Sequence, residues 1–260
     1  MRIEICEPES GDRKSQATAP RIGSVIWTGV GGVRDLVEEV EREGLRLLSF
    51  ADPRFFADDE RGIRFCRDMR REGVNVLWSA HLTEAPSRAL LREMRLAGAQ
   101  QVELRMGPDE ILESHAAARE FGFGIHLAHE DGTPYATDAS GYTVEERRAV
   151  CERLPGLHSV QFDLAVALFK ARRFREVMLP LGKAMTLGYP MNELCLNLLA
   201  CLSAAKHYPD MAAGLLEQAR YGCPHPVVHR NRSKLCAWLE FGGDVKGVRL
   251  LLDPSADCFG

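Results

Sequence analysis

Closely spaced cysteines are missing from this chain. Its eight thiols are Cys6, Cys66, Cys151, Cys195, Cys201, Cys223, Cys236 and Cys258; none form a C-x-x-C pair, and the nearest two, Cys195 and Cys201, stand six apart. Structural zinc and iron–sulfur sites draw on close thiolates, so this spacing argues against both and for reduced, mostly buried thiols. Cys6 and Cys258, near the ends, are expected to be exposed. Long hydrophobic runs are also missing: no apolar stretch approaches the roughly 18 residues that cross a bilayer. Charge of one sign is not in excess. With 33 basic and 37 acidic side chains the net charge is −4, which gives no reason to expect nucleic acid or an anionic membrane as partner. The first twenty residues, MRIEICEPESGDRKSQATAP, lack an apolar core followed by a cleavage site, so no signal peptide is expected and the cytoplasm is the expected compartment.

What is present is an ordinary globular composition over 260 residues, 45% hydrophobic and 27% charged, enough for one large domain or two modest ones. Residues 10–20, SGDRKSQATAP, read as a polar loop. An alternation then begins. VRDLVEEVEREG (33–44) puts Val33, Leu36, Val37 and Val40 on one helical face and stops at Gly44. LRLLSFA (45–51), VNVLWSA (74–80), AQQVELRM (99–106) and FGIHLAHE (123–130) read as strands. DDERGIRFCRDMRREG (58–73), APSRALLREMRLAG (85–98) and PDEILESHAAAREFG (108–122) read as the helices between them. Such alternation predicts βαβ units and a parallel sheet. GSVIWTG (23–29) adds a fifth strand and RIEIC (2–6) a sixth. Eight strands are not found before the pattern changes. The expected class for residues 1–150 is therefore α/β, as an open, partial (β/α) barrel of the TIM type.

From residue 151 to 260 the chain reads as all-α and repetitive. Gly188 and Gly222 lie 34 apart, as do Pro190 and Pro224, Phe174 and Tyr208, and the series Asp163, Asn197, Asn231. A period of 34 is the length of the tetratricopeptide (TPR) helix-turn-helix. Small residues such as Ala167, Ala171, Ala204 and Ala205 suit close helix pairing. The expected pairs are 159–171 with 173–187, 191–206 with 208–221, and 225–241 with 244–253.

In its first half the chain resembles the later barrel strands of radical S-adenosylmethionine enzymes. Phe50-Ala51-Asp52-Pro53-Arg54-Phe55-Phe56 resembles that family's strand-end phrase of Phe, acidic residues and Phe. Trp78-Ser79-Ala80 stands where the family places a strand with polar cofactor contacts. Leu90-Leu91-Arg92-Glu93-Met94-Arg95-Leu96-Ala97-Gly98-Ala99 resembles its next helix, and Gln101 to Gly107 the strand after it. The resemblance spans about residues 33–107, and such enzymes are sometimes followed by tetratricopeptide-like helices. The family's reaction, however, requires three cysteines spaced Cys-x3-Cys-x2-Cys after the first strand. This chain offers Cys6 alone in that region, followed by EPESGDRKSQATAP. Where the family often has a strand end with Gly and Pro, this chain has His126-Leu127-Ala128-His129-Glu130. The resemblance thus implies the scaffold without reductive cleavage of the cofactor.

Polar side chains gather at the C-terminal strand ends, the edge where parallel sheets bind ligands. The ligand-binding candidates are Asp52, Arg54, Ser79, His81, Glu103, Arg105, His126, His129 and Glu130. His126 and Glu130 with Glu103 or Asp52 suit a nitrogen–oxygen metal site or acid/base catalysis; a hydrogen-bonded polar edge is the plainer alternative. GVGG (29–32) lacks the lysine and hydroxyl of a P-loop and reads as a tight turn. HPVVHRNRSK (225–234) carries His229, Arg230 and Arg232 as candidates for an acidic partner, against a solvated helix face. Residues 132–150 read as a lid or an interdomain connection. The expected function is a non-catalytic binding or adaptor protein with no cofactor. It would bind a protein or peptide through its repeats, with an oligomer covering the open sheet edge as a further possibility. The alternative is a non-radical enzyme, or a small-molecule or metal-binding protein, using the polar strand edge.

Overall fold

The computed structural model describes residues 2–6, 22–26, 32–129, 142–221, 225–241 and 250–254. Its strands are β1 (Arg2–Cys6), β2 (Ile22–Ile26), β3 (Leu47–Phe50), β4 (Leu77–Leu82), β5 (Ala99–Arg105) and β6 (Gly124–Ala128). The first helices are α1 (Val33–Glu43), α2 (Asp59–Arg71), α3 (Arg88–Leu96), α4 (Pro108–Glu120) and α5 (Val144–Arg153). Then come α6 (His158–Lys170), α7 (Phe174–Thr186), α8 (Asn192–Ala205), α9 (Pro209–Ala219) and α10 (Pro226–Glu240). The chain divides into two compact units at Val160 and Gln161, inside α6.

In the first unit the six strands lie side by side in chain order, and β2 to β6 are parallel. No strand order reverses, so each right-handed crossover returns its helix to the same face. The alternation in β4 shows which face that is. Trp78, Ala80 and Leu82 enter the hydrophobic core with Leu48, Phe50, Val102 and Leu104 from neighbouring strands. Leu36, Cys66, Met69, Leu90, Leu91 and Met94 meet them from the helices. Phe50 makes edge-on contacts with Phe55, Phe56, Phe65 and Trp78, and Phe56 stacks on Trp78 with centroids 5.5 Å apart. The buried Trp78 indole still needs an acceptor and donates to the Ala97 carbonyl at 2.8 Å.

Two sequence expectations are corrected here. The strand Arg2–Cys6 forms, but it pairs antiparallel with β2, with Arg2 opposite Ile26 and Cys6 opposite Ile22. A parallel partner needs a crossover that covers the sheet, and the polar stretch between these strands has no apolar stripe with which to do it. The helix expected from residue 85 starts at Arg88. Ala85 precedes Pro86, which disfavours helical backbone at that residue, and the Ser87 hydroxyl accepts from the Leu90 amide at 3.1 Å to cap the helix.

Helices α6, α8 and α10 begin at His158, Asn192 and Pro226, each 34 residues after the one before, and all but the first three residues of α6 belong to the second unit. The turns that end α6 and α8 both place a non-glycine residue in the left-handed region, Arg172 (φ 58°) and His207 (φ 64°). α8 is buried along nearly its whole length, from Glu193 to Ser203, as expected of a helix with packed neighbours on several sides. The last expected helix, 244–253, is also corrected: residues 250–253 are not helical, and 244–249 lie outside the described residues. Asp253 precedes Pro254, which favours extended backbone there.

Gly98 joins α3 to β5 at φ +104°, and a Cβ there would lie 2.2 Å from the Val76 carbonyl oxygen. Its own carbonyl accepts from the Trp78 amide at 3.2 Å, so the backbone cannot withdraw without losing the β4–β5 register. Gly98→Ala is therefore expected to cost about 2–4 kcal/mol. Chemical denaturation followed by circular dichroism measures it; an unchanged midpoint would show that this turn yields without strain.

Candidate functional site

In the first unit the register assembles polar rows on the sheet face opposite the helices, beyond the fully buried Leu47 and Leu77 of that same face. Glu4 stands opposite Ser24, Ser24 beside Ser49, Ser49 beside Ser79, Ser79 beside Gln101, and Gln101 beside Gly124. One row thus crosses all six strands without a large apolar side chain. Two residues further along, His81, Glu103 and His126 align in a second row. Because side chains alternate along a strand, these rows share the face turned away from the core. Ser79 donates to Ser49, or accepts from it, at 3.3 Å. Glu103 is held by the Arg105 guanidinium on one oxygen and lies 3.5 Å from His81 Nε2 on the other. Burial holds the His81 imidazole below its ordinary value, with Arg105 adding to the effect and Glu103 and the Ala51 backbone opposing it.

Of the remaining strand-end candidates, those described are engaged locally or exposed. Asp52 turns back on its own loop, accepting from the Arg54 amide at 3.1 Å and from the Arg54 guanidinium at 3.0 and 2.7 Å. It caps a short 3-10 turn, Pro53–Phe55. His126 and His129 are exposed, and Glu130 lies outside the described residues. Among the described residues no three His, Cys, Asp or Glu side chains gather as a metal-binding group. The described thiols of this unit, Cys66 and Cys151, do not form a set either. Cys66 is buried in the core, where desolvation pushes its thiol well above the ordinary value, and Cys151 donates to the Val160 carbonyl at 3.2 Å.

In the second unit the polar centre is one that the sequence marks only by its spacing. Asn197 on α8 and Asn231 on α10 are fully buried. Asn231 Nδ2 donates to Asn197 Oδ1 at 2.8 Å and to the Asp253 carbonyl at 2.7 Å, and its Oδ1 accepts from the Asp253 amide at 2.9 Å. Asn197 Nδ2 donates to the same carbonyl at 2.9 Å, and the Cys201 thiol reaches it at 3.4 Å. Burial also raises the Cys201 thiol and pushes Cys195 up to about 12, so both remain protonated. Beside the pair lies a groove of about 520 Å³ lined in part by Phe169, Phe174, Ala204, His207, Trp238 and Leu252.

No family model, curated protein or solved structure matches this chain. The helix candidates fall at the edge of the Asn197–Asn231 centre. Arg232 is paired with Glu217 of α9, Arg230 lies 3.8 Å from the Asp253 carboxylate, and His229 is half-buried on α10. Sequence reading missed Ser24, Ser49 and Gln101, because a serine or glutamine in a short strand carries no signal until the register is known. It noted Asn197 and Asn231 only as marks of a period. A buried-pattern helix that keeps an amide at one repeat position was the available clue.

The depressed His81 value has a consequence for stability. The folded imidazole resists a proton that the unfolded one accepts, so the unfolded chain binds more protons as the pH falls through about 6.5. That part of the stability is present above this pH and is lost below it. His81→Gln is expected to shrink the fall in unfolding midpoint between about pH 7.5 and about pH 5.5. Thermal melts across that range test it, and an unaltered slope would remove His81 as its source.

Proposed function

We propose that this chain is a non-catalytic binding or adaptor protein. Its first unit is a degenerate, cluster-less radical S-adenosylmethionine-like partial barrel, and its second a TPR-like array that holds a protein partner. The observation that carries the proposal is the Asn197–Asn231 pair, two buried amides on helices one repeat apart that together grip the backbone of a non-helical segment. Repeat arrays bind peptide or protein ligands on side-chain-lined surfaces. The barrel reading is supported by the chain-order sheet, by helices returned to one face, and by a polar row where a closed barrel has its interior. The cluster-less reading is supported by the donor set: Cys6 is alone before Cys66, and Cys66 is a core residue.

A second reading rests on the His81–Glu103–Arg105 group within the polar face. It is a small-molecule or metal-binding site, or a non-radical enzyme, on that sheet. A stoichiometric divalent ion in the purified protein, lost on His126→Ala with Glu103→Ala, favours it over the first.

The adaptor reading is tested by anaerobic reconstitution with iron, sulfide and reductant. The expected result is no charge-transfer absorbance of an iron–sulfur cluster and no 5′-deoxyadenosine released from S-adenosylmethionine. A stoichiometric cluster with turnover overturns it.

A further inference from the structure

The amide of Asn231 treats Asp253 as a neighbouring strand would. It donates to the carbonyl and accepts from the N–H of the same residue, at 2.7 and 2.9 Å. Both groups of one residue point to one side only when that residue is extended, which is the geometry of a hydrogen-bonded pair in a sheet. Asn197 adds a second donor to the carbonyl at 2.9 Å. The contacts are to backbone. The Asp253 carboxylate lies 3.8 Å from the Arg230 guanidinium, long for a charge-assisted hydrogen bond. Sequence is read one residue earlier, where Leu252 is 7% exposed while Leu251 is 71% exposed. That in–out alternation is also the mark of an extended segment.

Two amides fully removed from water are costly in a helical core unless every donor and acceptor is used. An apolar pair would hold α8 against α10 without that requirement. What the asparagines supply instead is a surface complementary to any extended backbone. A groove of about 520 Å³ continues beside it, with Leu250, Leu251 and Leu252 contributing to a wall that also carries Lys170 and Arg172. The groove therefore offers further apolar lining alongside the segment already seated.

We propose that Asn197 and Asn231 form a backbone-reading clamp for an extended peptide of a partner protein with an aliphatic residue just before the clamped one, and that residues 250–254 are its built-in occupant, displaced when the partner binds. The inference rests on reading the helices as a partner-binding array. A tethered segment competes through its effective concentration, so the intact chain binds such peptides weakly until the segment is released. The chain then has a closed state, filled by its own residues, and an open one, filled by the partner.

The test uses full-length protein and a fluorescent peptide with the sequence of residues 249–255. Leu252→Asp puts a charge where Leu252 is buried and loosens the tethered segment while both asparagines remain. This variant is expected to bind the peptide at least about tenfold more tightly than the parent. N-methylation of the peptide at the position of Asp253 removes the donated N–H and is expected to weaken binding about tenfold. Alanine at that position of the peptide is expected to change affinity by less than about threefold. Asn231→Leu is expected to abolish binding. In the unaltered chain, a saturating amount of the same peptide is expected to speed amide exchange of residues 250–254, read by mass spectrometry, which keeps the test independent of how any variant folds. Equal affinity for parent and Leu252→Asp chains, or exchange at 250–254 indifferent to peptide, overturns the clamp and leaves the segment a fixed part of the fold. Those outcomes leave the cluster assay untouched, so the cluster-less reading of the first unit stands or falls separately.

Discussion

A polar group taken out of water has to find a partner inside the protein, and that requirement shapes both units. In the first it fixes the buried Trp78 indole on the Ala97 carbonyl and holds Glu103 between Arg105 and His81. In the second it fixes Asn231, whose two amide hydrogens and carbonyl oxygen are all engaged by Asn197 and Asp253. Hydrophobic burial supplies most of the driving force in each unit. It is indifferent to direction, however, and does not choose between registers or between repeat alignments. The paired polar groups are directional, and they make that choice. A one-residue slip between β4 and β5 would part His81 from Glu103 and turn Trp78 away from its acceptor.

Parallel sheets usually bury both faces, because crossovers lay helices on each. Here the strand order never reverses, so crossover helices of one hand return to a single face. The opposite face must then be compatible with water or with whatever covers it, and its row of Ser24, Ser49, Ser79 and Gln101 meets that condition. A barrel interior in which catalysis has been lost and a face shaped for a polar ligand share this chemistry. What separates them is convergence: Asp52 is consumed by Arg54 and Glu103 by Arg105, so the carboxylates serve local structure first.

Much of this architecture was legible in the residues. Apolar spacing located α1 to α4 and the strands between them, because a single buried face writes a period of its own into each element. The interval of 34 located the starts of α6, α8 and α10. The direction of β1 was not legible, since strand pairing is a property of two segments and the intervening residues carry no crossover helix. The start of α3 turned on Pro86 and Ser87, a local backbone preference that outweighed the apolar pattern. The polar row was hidden because register, not composition, brings its members together.

The end of the chain shows why a correct periodicity can still give a wrong element. Leu250, Leu251 and Leu252 have the hydrophobicity of a repeat helix, and the 34-residue interval asks for one there. Pro254 biases Asp253 toward extended backbone, and a helix would have to supply bonds for backbone groups that Asn231 and Asn197 already satisfy. The asparagines belong to an earlier and a later repeat position and are in place whether or not the segment is helical. Given that surface, an extended segment gains paired hydrogen bonds and the burial of Leu252, whereas a helix would leave two buried amides to find other partners. The same preference applies to any extended backbone that reaches the groove, because the recognition lies in main-chain atoms every residue except proline provides. The misread helix and the proposed clamp therefore share one physical source: two buried amides, 34 residues apart on α8 and α10, whose hydrogen bonds are satisfied by extended backbone.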